Sequence, residues 1–341
     1  MDNTTVINDT LQEHNNGTES SGRPGFVLNG ITTGIMVNTS LILLIVGGNF
    51  LVIAAYVKNR RLRSGTYALL VSLALSDLLV GGIALPIRIY GSVKSWDVSA
   101  IFIVFYTAFD IFSAVASNLH LMAISFERFI AISRPFYYQT LSVHPYAFAS
   151  MASWILGVLV ASLHPGNYLK NEDEQLLKTQ ILKVYSVTLF AVCFLGPLTV
   201  ISIVNIGIFR VARVLIKRVP LQHGGAGQRL RKERKAALTL LVMTGFFFIA
   251  WFPFFVINML YISCVECLPS SLEAQFVMID IVKWLHYSNS AINPAIYAYR
   301  DVEIRRTFAR LLGPLGRFCR VNQVEPEYPN THLDIDMQTR K

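Results

Sequence analysis

The chain has 341 residues, 53% of them hydrophobic and only 15% charged, with a mean hydropathy of +0.47, whereas a soluble domain carries nearer a quarter charged. That balance excludes an ordinary soluble enzyme and points to a membrane protein. The net charge of +9 would suit a nucleic-acid partner, but the basic residues fall between apolar runs, as the positive-inside rule requires, and no nucleic acid is expected.

Residues 1–27 are rich in Asn, Thr, Ser and Gly and are expected to form a disordered tail. Sequons at Asn3, Asn8 and Asn16 predict that this tail is extracellular and glycosylated. It carries no basic-then-apolar leader, so the first span is expected to act as an uncleaved anchor. Seven apolar runs follow, at roughly 31–57, 66–91, 98–133, 146–163, 181–211, 235–262 and 274–299. Each exceeds what a core helix needs, so residues 28–300 read as an all-α, seven-transmembrane helix bundle. Seven is odd, which puts the two ends on opposite faces. Lys58, Arg60, Arg61 and Arg63 join the first two runs, and nine Lys/Arg against one acid lie between Arg210 and Lys235. Those loops are therefore cytoplasmic, with the N-terminus outside and the C-terminus inside. Residues 301–312 predict a short amphipathic eighth helix in the inner lipid interface, with Ile304, Phe308, Leu311 and Leu312 on one face. Residues 313–341 form a cytoplasmic tail, in which Cys319 is a candidate palmitoylation site or a plain free thiol.

The third run organises the rest. Between Val98 and Phe126 the side chains that readily ionise are Asp110 and His120, in a helix of roughly 43 Å. Asp110 and Arg128 are eighteen residues apart, about 27 Å along one face. One helix thus carries a carboxylate near one membrane surface and a guanidinium near the other. Polar residues inside a span are costly and default to function. Asp77 in LVSLALSDLLVGG, Asn49 in IVGGNFLV, and Asn289, Ser290 and Asn293 in SNSAINPAIY form such a set. They would either fasten helices by hydrogen bonds or gather oxygens around one carboxylate for a small cation. Pro86, Pro197, Pro253 and Pro294 lie within spans, where each removes a donor and bends its helix.

Taken in order, these features resemble the rhodopsin-like G-protein-coupled receptors over about residues 28–320. The resemblance rests on Asn49 in a GN-x-x-V-like setting, Asp77 in LALSD, and Glu127-Arg128-Phe129 where the family has Asp-Arg-Tyr. It continues through Trp154, Pro197, Trp251-x-Pro253 and Asn293-Pro294-x-x-Tyr297. It implies that Arg128 contacts a heterotrimeric G protein or is held back from it, and that Glu233 is the partner of that arginine. It also implies sodium-binding roles for Asp77, Ser117, Asn289 and Ser290, a rotamer switch at Trp251, and no resident cofactor beyond an allosteric sodium ion. Charge-assisted pairing of Arg128 with Glu127 and Glu233 would clasp spans three and six.

A lone outer carboxylate at Asp110 is a natural counter-ion for an ammonium group, and aromatics would complete a cation–π cage. Asp110 with Phe254, Phe255, Trp284 and Tyr287 resembles the pocket of biogenic-amine receptors. Ala114, Leu189, Cys193, Trp251, Asn258 and Lys283 complete the candidate ligand site. Asn258 resembles purine-nucleoside receptors equally, and Leu189, Phe190 and Cys193 stand where catecholamine receptors offer serines. Lys283 and Arg88 introduce cations that could neutralise Asp110 internally, which opens a zwitterionic, acidic or peptide ligand, or an orphan active without one. A retinal pigment is excluded, because Tyr287 holds the position of its lysine. No inverted repeat or broken-helix pair supports a transporter. The family's bridge from span three to the second outer loop is missing: Ile103 stands at its expected place and His164–Lys183 has no cysteine. Cys264 and Cys267 could instead close a small disulfide in the third outer loop.

Overall fold

A computed structural model describes the backbone of residues 24–164, 175–218 and 224–314, and the side chains of most of 30–164, 179–210 and 244–314. Among these residues all regular structure is helical, and the helices form one bundle. We number the long helices in chain order: α1 (Pro24–Lys58), α2 (Gly65–Val93), α3 (Ala100–Ser133) and α4 (His144–Ser162). Helix α5 joins Gln175–Leu189 to Gly196–Arg218, and α6 (Gly224–Ser263), α7 (Leu272–Arg300) and the short α8 (Val302–Leu311) follow.

Capping and proline chemistry set several of these limits. Ser99 caps α3, accepting from the Phe102 N–H, and Asp301 caps α8, accepting from Glu303 and Ile304. Two of the four predicted proline bends take a specific form. Before Pro86 the chain makes a π-helical turn over Val80–Ala84, and before Pro197 another over Phe190–Leu195. In each the widened turn closes with an i→i−5 bond, Leu85 N–H to Val80 and Gly196 N–H to Ala191, which accommodates the nearby missing proline donor. Pro253 and Pro294 sit inside unbroken helices.

The sixth run was expected to begin near residue 235, but its helix starts at Gly224. Apolarity ends where the membrane ends; helix does not, because Arg, Lys and Glu are good helix formers. A short helix absent from the sequence reading, Pro135–Thr140, opens with proline at its first position, where the lost N–H costs nothing.

Six helices are long and apolar enough, by length and composition, to cross a membrane. Helix α7 matches them in length but carries Asp280, Lys283, His286, Asn289, Ser290 and Asn293. Its His286, Asn289, Ser290 and Asn293 are buried, as α7 packs between α1 and α6. Large apolar residues such as Leu43, Leu44, Phe148 and Ile155 stay exposed on the outside of the bundle, the inverse of a soluble fold. The core runs from Leu69, Leu73 and Ile124 to Phe194, Phe247, Trp251 and Phe255. The face predicted for α8 docks through Ile304 and Phe308 beneath this core, with Leu311 and Leu312 half-buried.

Candidate functional site

Helices α2, α3, α5, α6 and α7 surround a cavity of about 270 Å3 in the half of the bundle that also holds Cys264 and Cys267. Its walls include nine of the eleven predicted ligand residues: Asp110, Ala114, Leu189, Cys193, Trp251, Phe254, Phe255, Asn258 and Lys283. The other two stand behind the wall. Tyr287 is buried and donates from Oη to Asp110 Oδ1 at 2.9 Å. Trp284 turns the other way: its Nε1 donates to Asn38 Oδ1 at 3.1 Å, and its ring packs against the Leu41–Ile45 cluster of α1. Placing Trp284 in the cage is thereby corrected. Its neighbours on α7 gave no sign of this, because the partner that claims the indole, Asn38, is 246 residues away.

Asp110 does not stand alone. Lys283 Nζ lies 2.5 Å from its Oδ2, and the same ammonium sits 4.5 Å from the Phe254 ring centre and 5.8 Å from that of Tyr287. Lys283 therefore occupies the counter-ion and aromatic cage itself. A second pair flanks the first, Arg88 Nη2 to Asp280 Oδ1 at 2.5 Å. The two pairs are connected by hydrogen bonds: Arg88 Nη1 to Tyr106 Oη at 3.4 Å, Tyr106 Oη to Tyr287 Oη at 3.0 Å, and Tyr287 to Asp110. Tyr287 spends its one proton on the carboxylate, so Tyr106 must donate to Tyr287 and accept from Arg88. All four charges are legible as residue types, but their pairing joins α2 to α7 and α3 to α7.

The cavity floor is aromatic. Trp251 stacks on Phe255 at 5.8 Å and lies 4.1 Å from the His286 ring. Phe194 and Phe247 continue the stack below, so the π-turn before Pro197 and the proline-bearing α6 meet in one ring cluster. Trp251 Nε1 and His286 Nδ1 are buried without a hydrogen-bond partner among the described residues. Sequence reading missed Tyr106 and His286 as site residues; an aromatic and a histidine on helical faces carry no signal of their own.

Deeper in the bundle Asp77 is fully buried. Its Oδ1 accepts from Ser117 at 3.0 Å and Ser290 at 2.7 Å, and its Oδ2 from Asn293 at 2.9 Å. Asn293, grouped with Asn289 and Ser290 in the polar set of SNSAINPAIY, thus joins the carboxylate, while among the described residues no hydrogen bond links Asn289 to it. Asn49 Nδ2 donates to the Ser290 carbonyl, and its Oδ1 is buried without a partner among the described residues.

At the far end of α3, Arg128 Nε lies 2.8 Å from Glu127 Oε2. Glu127 Oε1 accepts from Thr66 of α2 and from Tyr138 of the short loop helix, both at 2.6 Å. Burial and the Glu127 carboxylate push the Tyr138 phenol well above its ordinary pKa, so it remains a donor at physiological pH. Tyr297 is buried beside α8 with its hydroxyl unpaired among the described residues, and Trp154 donates to Ser72 at 2.9 Å. The side chain of Glu233 and residues Asn3, Asn8, Asn16 and Cys319 lie outside the described residues. Cys264 and Cys267 are bonded to each other, with Cα atoms 5.3 Å apart.

The pattern of the seven-transmembrane receptor, rhodopsin family, matches residues 48–297. The chain belongs to that family. It is a multi-pass G-protein-coupled receptor of the plasma membrane, in agreement with the expected seven-helix bundle. Among its relatives, the histamine H2 receptor of Cavia porcellus is 33% identical over 307 residues, covering 87% of this chain and 83% of the relative. The human histamine H2 receptor is 34% identical over 283 residues, 80% of this chain and 77% of the relative. The D(1B) dopamine receptor of Xenopus laevis is 31% identical over 353 residues, 90% of this chain and 75% of the relative. This receptor departs from a simple amine pocket in one visible way: a lysine already sits on the carboxylate.

Proposed function

We propose that this receptor is switched by a small ligand bearing an ammonium group, which takes the place of Lys283 Nζ on Asp110 and signals through a heterotrimeric G protein. The observation that carries this reading is Lys283 itself. An ammonium between a carboxylate and the Phe254 and Tyr287 rings marks the position where a cation is welcome. The relatives are named as receptors for histamine and dopamine, which supports the same chemistry. Such a ligand would rest above Trp251, whose ring stack reaches the π-turn of α5 and the proline-bearing α6. It biases the bundle only as far as it binds one arrangement of those rings better than another. The test is Asp110→Asn at matched surface expression, with histamine and dopamine as probes. At least a hundredfold loss of potency is expected, and unchanged potency would falsify the reading.

Signal would leave at the opposite end, where Arg128 is held by Glu127 and where the family pattern makes Glu233, in the sequence of α6, the candidate for a second partner. The N-terminus would face outside, with glycans on Asn3, Asn8 and Asn16, because the basic segments at Lys58–Arg63 and Arg210–Lys235 favour the cytoplasm. The same basic segments and α8 suit anionic lipid head groups, and Cys319 would anchor the tail by acylation. A sodium ion fits the oxygen-rich set around Asp77, Ser117 and Ser290, with the orphaned Asn49 oxygen close by. Replacing sodium by choline should change agonist affinity in the native receptor but not in Asp77→Asn; equal sensitivity of the two would remove the ion from the account.

A further inference from the structure

Among the described residues, the charges that line the cavity cancel in pairs. Asp110 meets Lys283, Asp280 meets Arg88, and three of these four side chains are at most 12% exposed, with Asp280 at 30%. A ligand that brings an ammonium alone to Asp110 must displace Lys283 and leave it without a counter-ion beside the Phe254 ring. An uncompensated charge in so buried a place is strongly unfavourable. A ligand that brings an anion as well restores the balance.

We propose that the cavity takes a zwitterion of the amino-acid type, its ammonium on Asp110 and its carboxylate on Lys283. The inference rests on the counter-ion reading of Asp110 and adds a second recognition point to it. Asp280 precedes Lys283 by three residues, so the Arg88–Asp280 pair sits about one turn outward along α7, toward its N-terminus. Arg88 presents a second cation to the cavity, and its Nε is buried with no hydrogen-bond partner among the described residues. The donor chain from Arg88 through Tyr106 and Tyr287 to Asp110 steadies the carboxylate while Lys283 leaves it. Lysine suits this exchange: its ammonium is a point charge on a four-carbon flexible stem, able to swing from protein carboxylate to ligand carboxylate. The aromatic walls at Trp251, Phe254 and Phe255 would take an aromatic or imidazole side chain.

The experiment uses the full-length receptor in cells, with second-messenger output read against three matched pairs: L-histidine and histamine, L-tyrosine and tyramine, L-tryptophan and tryptamine. In the native receptor at least one amino acid should be tenfold or more as potent as its decarboxylated partner. Lys283→Met should invert that order by relieving the need for an anion, while Lys283→Arg should keep it. Should Lys283→Met reach the surface poorly, the charge-neutral pair Asp110→Asn with Lys283→Met removes both charges at once and should respond to neither class. Amines outranking amino acids on the native receptor, silence toward all three amino acids, or an order indifferent to Lys283→Met each overturn the proposal. If amines act and need Asp110 while Lys283→Met changes nothing, the zwitterion fails and the counter-ion stands. If Asp110→Asn leaves every response intact, the counter-ion reading itself fails.

Discussion

Glu127 has two jobs, one for each carboxylate oxygen. One oxygen holds Arg128 and the other is held by Thr66 and Tyr138, so the ion pair on α3 is fastened to α2 and to the loop helix. A tyrosine phenol is protonated throughout the physiological range, and the upward shift at Tyr138 carries its role as donor into still more alkaline solution. Hydrogen bonds to a charged group contribute about 1.5–3 kcal/mol, worth roughly a tenfold change or more in an equilibrium between held and released Arg128. Tyr138→Phe should therefore raise ligand-independent signalling, read as basal second messenger per receptor at the surface. A basal level equal to the native one would show that the phenol does not restrain Arg128. The residue types at 127 and 128 announce a switch in the sequence, whereas Tyr138 does not, because nothing in PFYYQT says which of its rings turns inward.

At the level of the helix, close approach is decided by single hydrogens. Gly47 and Gly48 are neighbours on α1 with opposite surroundings: a Cβ on Gly47 would meet nothing within 4 Å, while one on Gly48 would lie 2.9 Å from Pro294 Cγ. Small residues at such crossings let membrane helices pack backbone to backbone. Gly47→Ala should raise the melting temperature of the purified receptor, since alanine gains up to about 1 kcal/mol over glycine inside a helix. Gly48→Ala should lower it, because overpacking against a rigid ring costs about 1–3 kcal/mol. Equal shifts in the two variants would refute the contact between α1 and α7. The same crossing places Asn49 over Ser290, which is why the two motifs GGN and SNSAINP, far apart in the chain, serve one site.

For the whole molecule, the sign of the loops sets the direction in which signal travels. In the proposed orientation, basic segments at Lys58–Arg63 and Arg210–Lys235 would hold one face to the cytoplasm, and the cavity between α3 and α7 would open to the other. Treatment of intact cells with an N-glycosidase should increase the receptor's gel mobility, and the triple change of Asn3, Asn8 and Asn16 to Gln should abolish that shift. A receptor whose glycans are reached only after permeabilisation would reverse the orientation. Between the two faces lie three polar centres in succession: Asp110 and Lys283 above Trp251, Asp77 with Asn293 in the middle, and Arg128 with Glu127 at the base.

The seven-helix architecture and most members of the three polar centres were legible in the chain itself, because lipid forces every backbone polar group into a helix and makes each charge conspicuous. Pairing was not. That Lys283 rather than open space faces Asp110, that Trp284 turns to Asn38, and that Asn293 serves Asp77 all depend on rotations of packed helices about their axes. Sequence spacing sets which residues share a helix face, but not which neighbour that face meets. The contacts between helices join residues far apart in the chain, and their partners become definite only when the bundle closes.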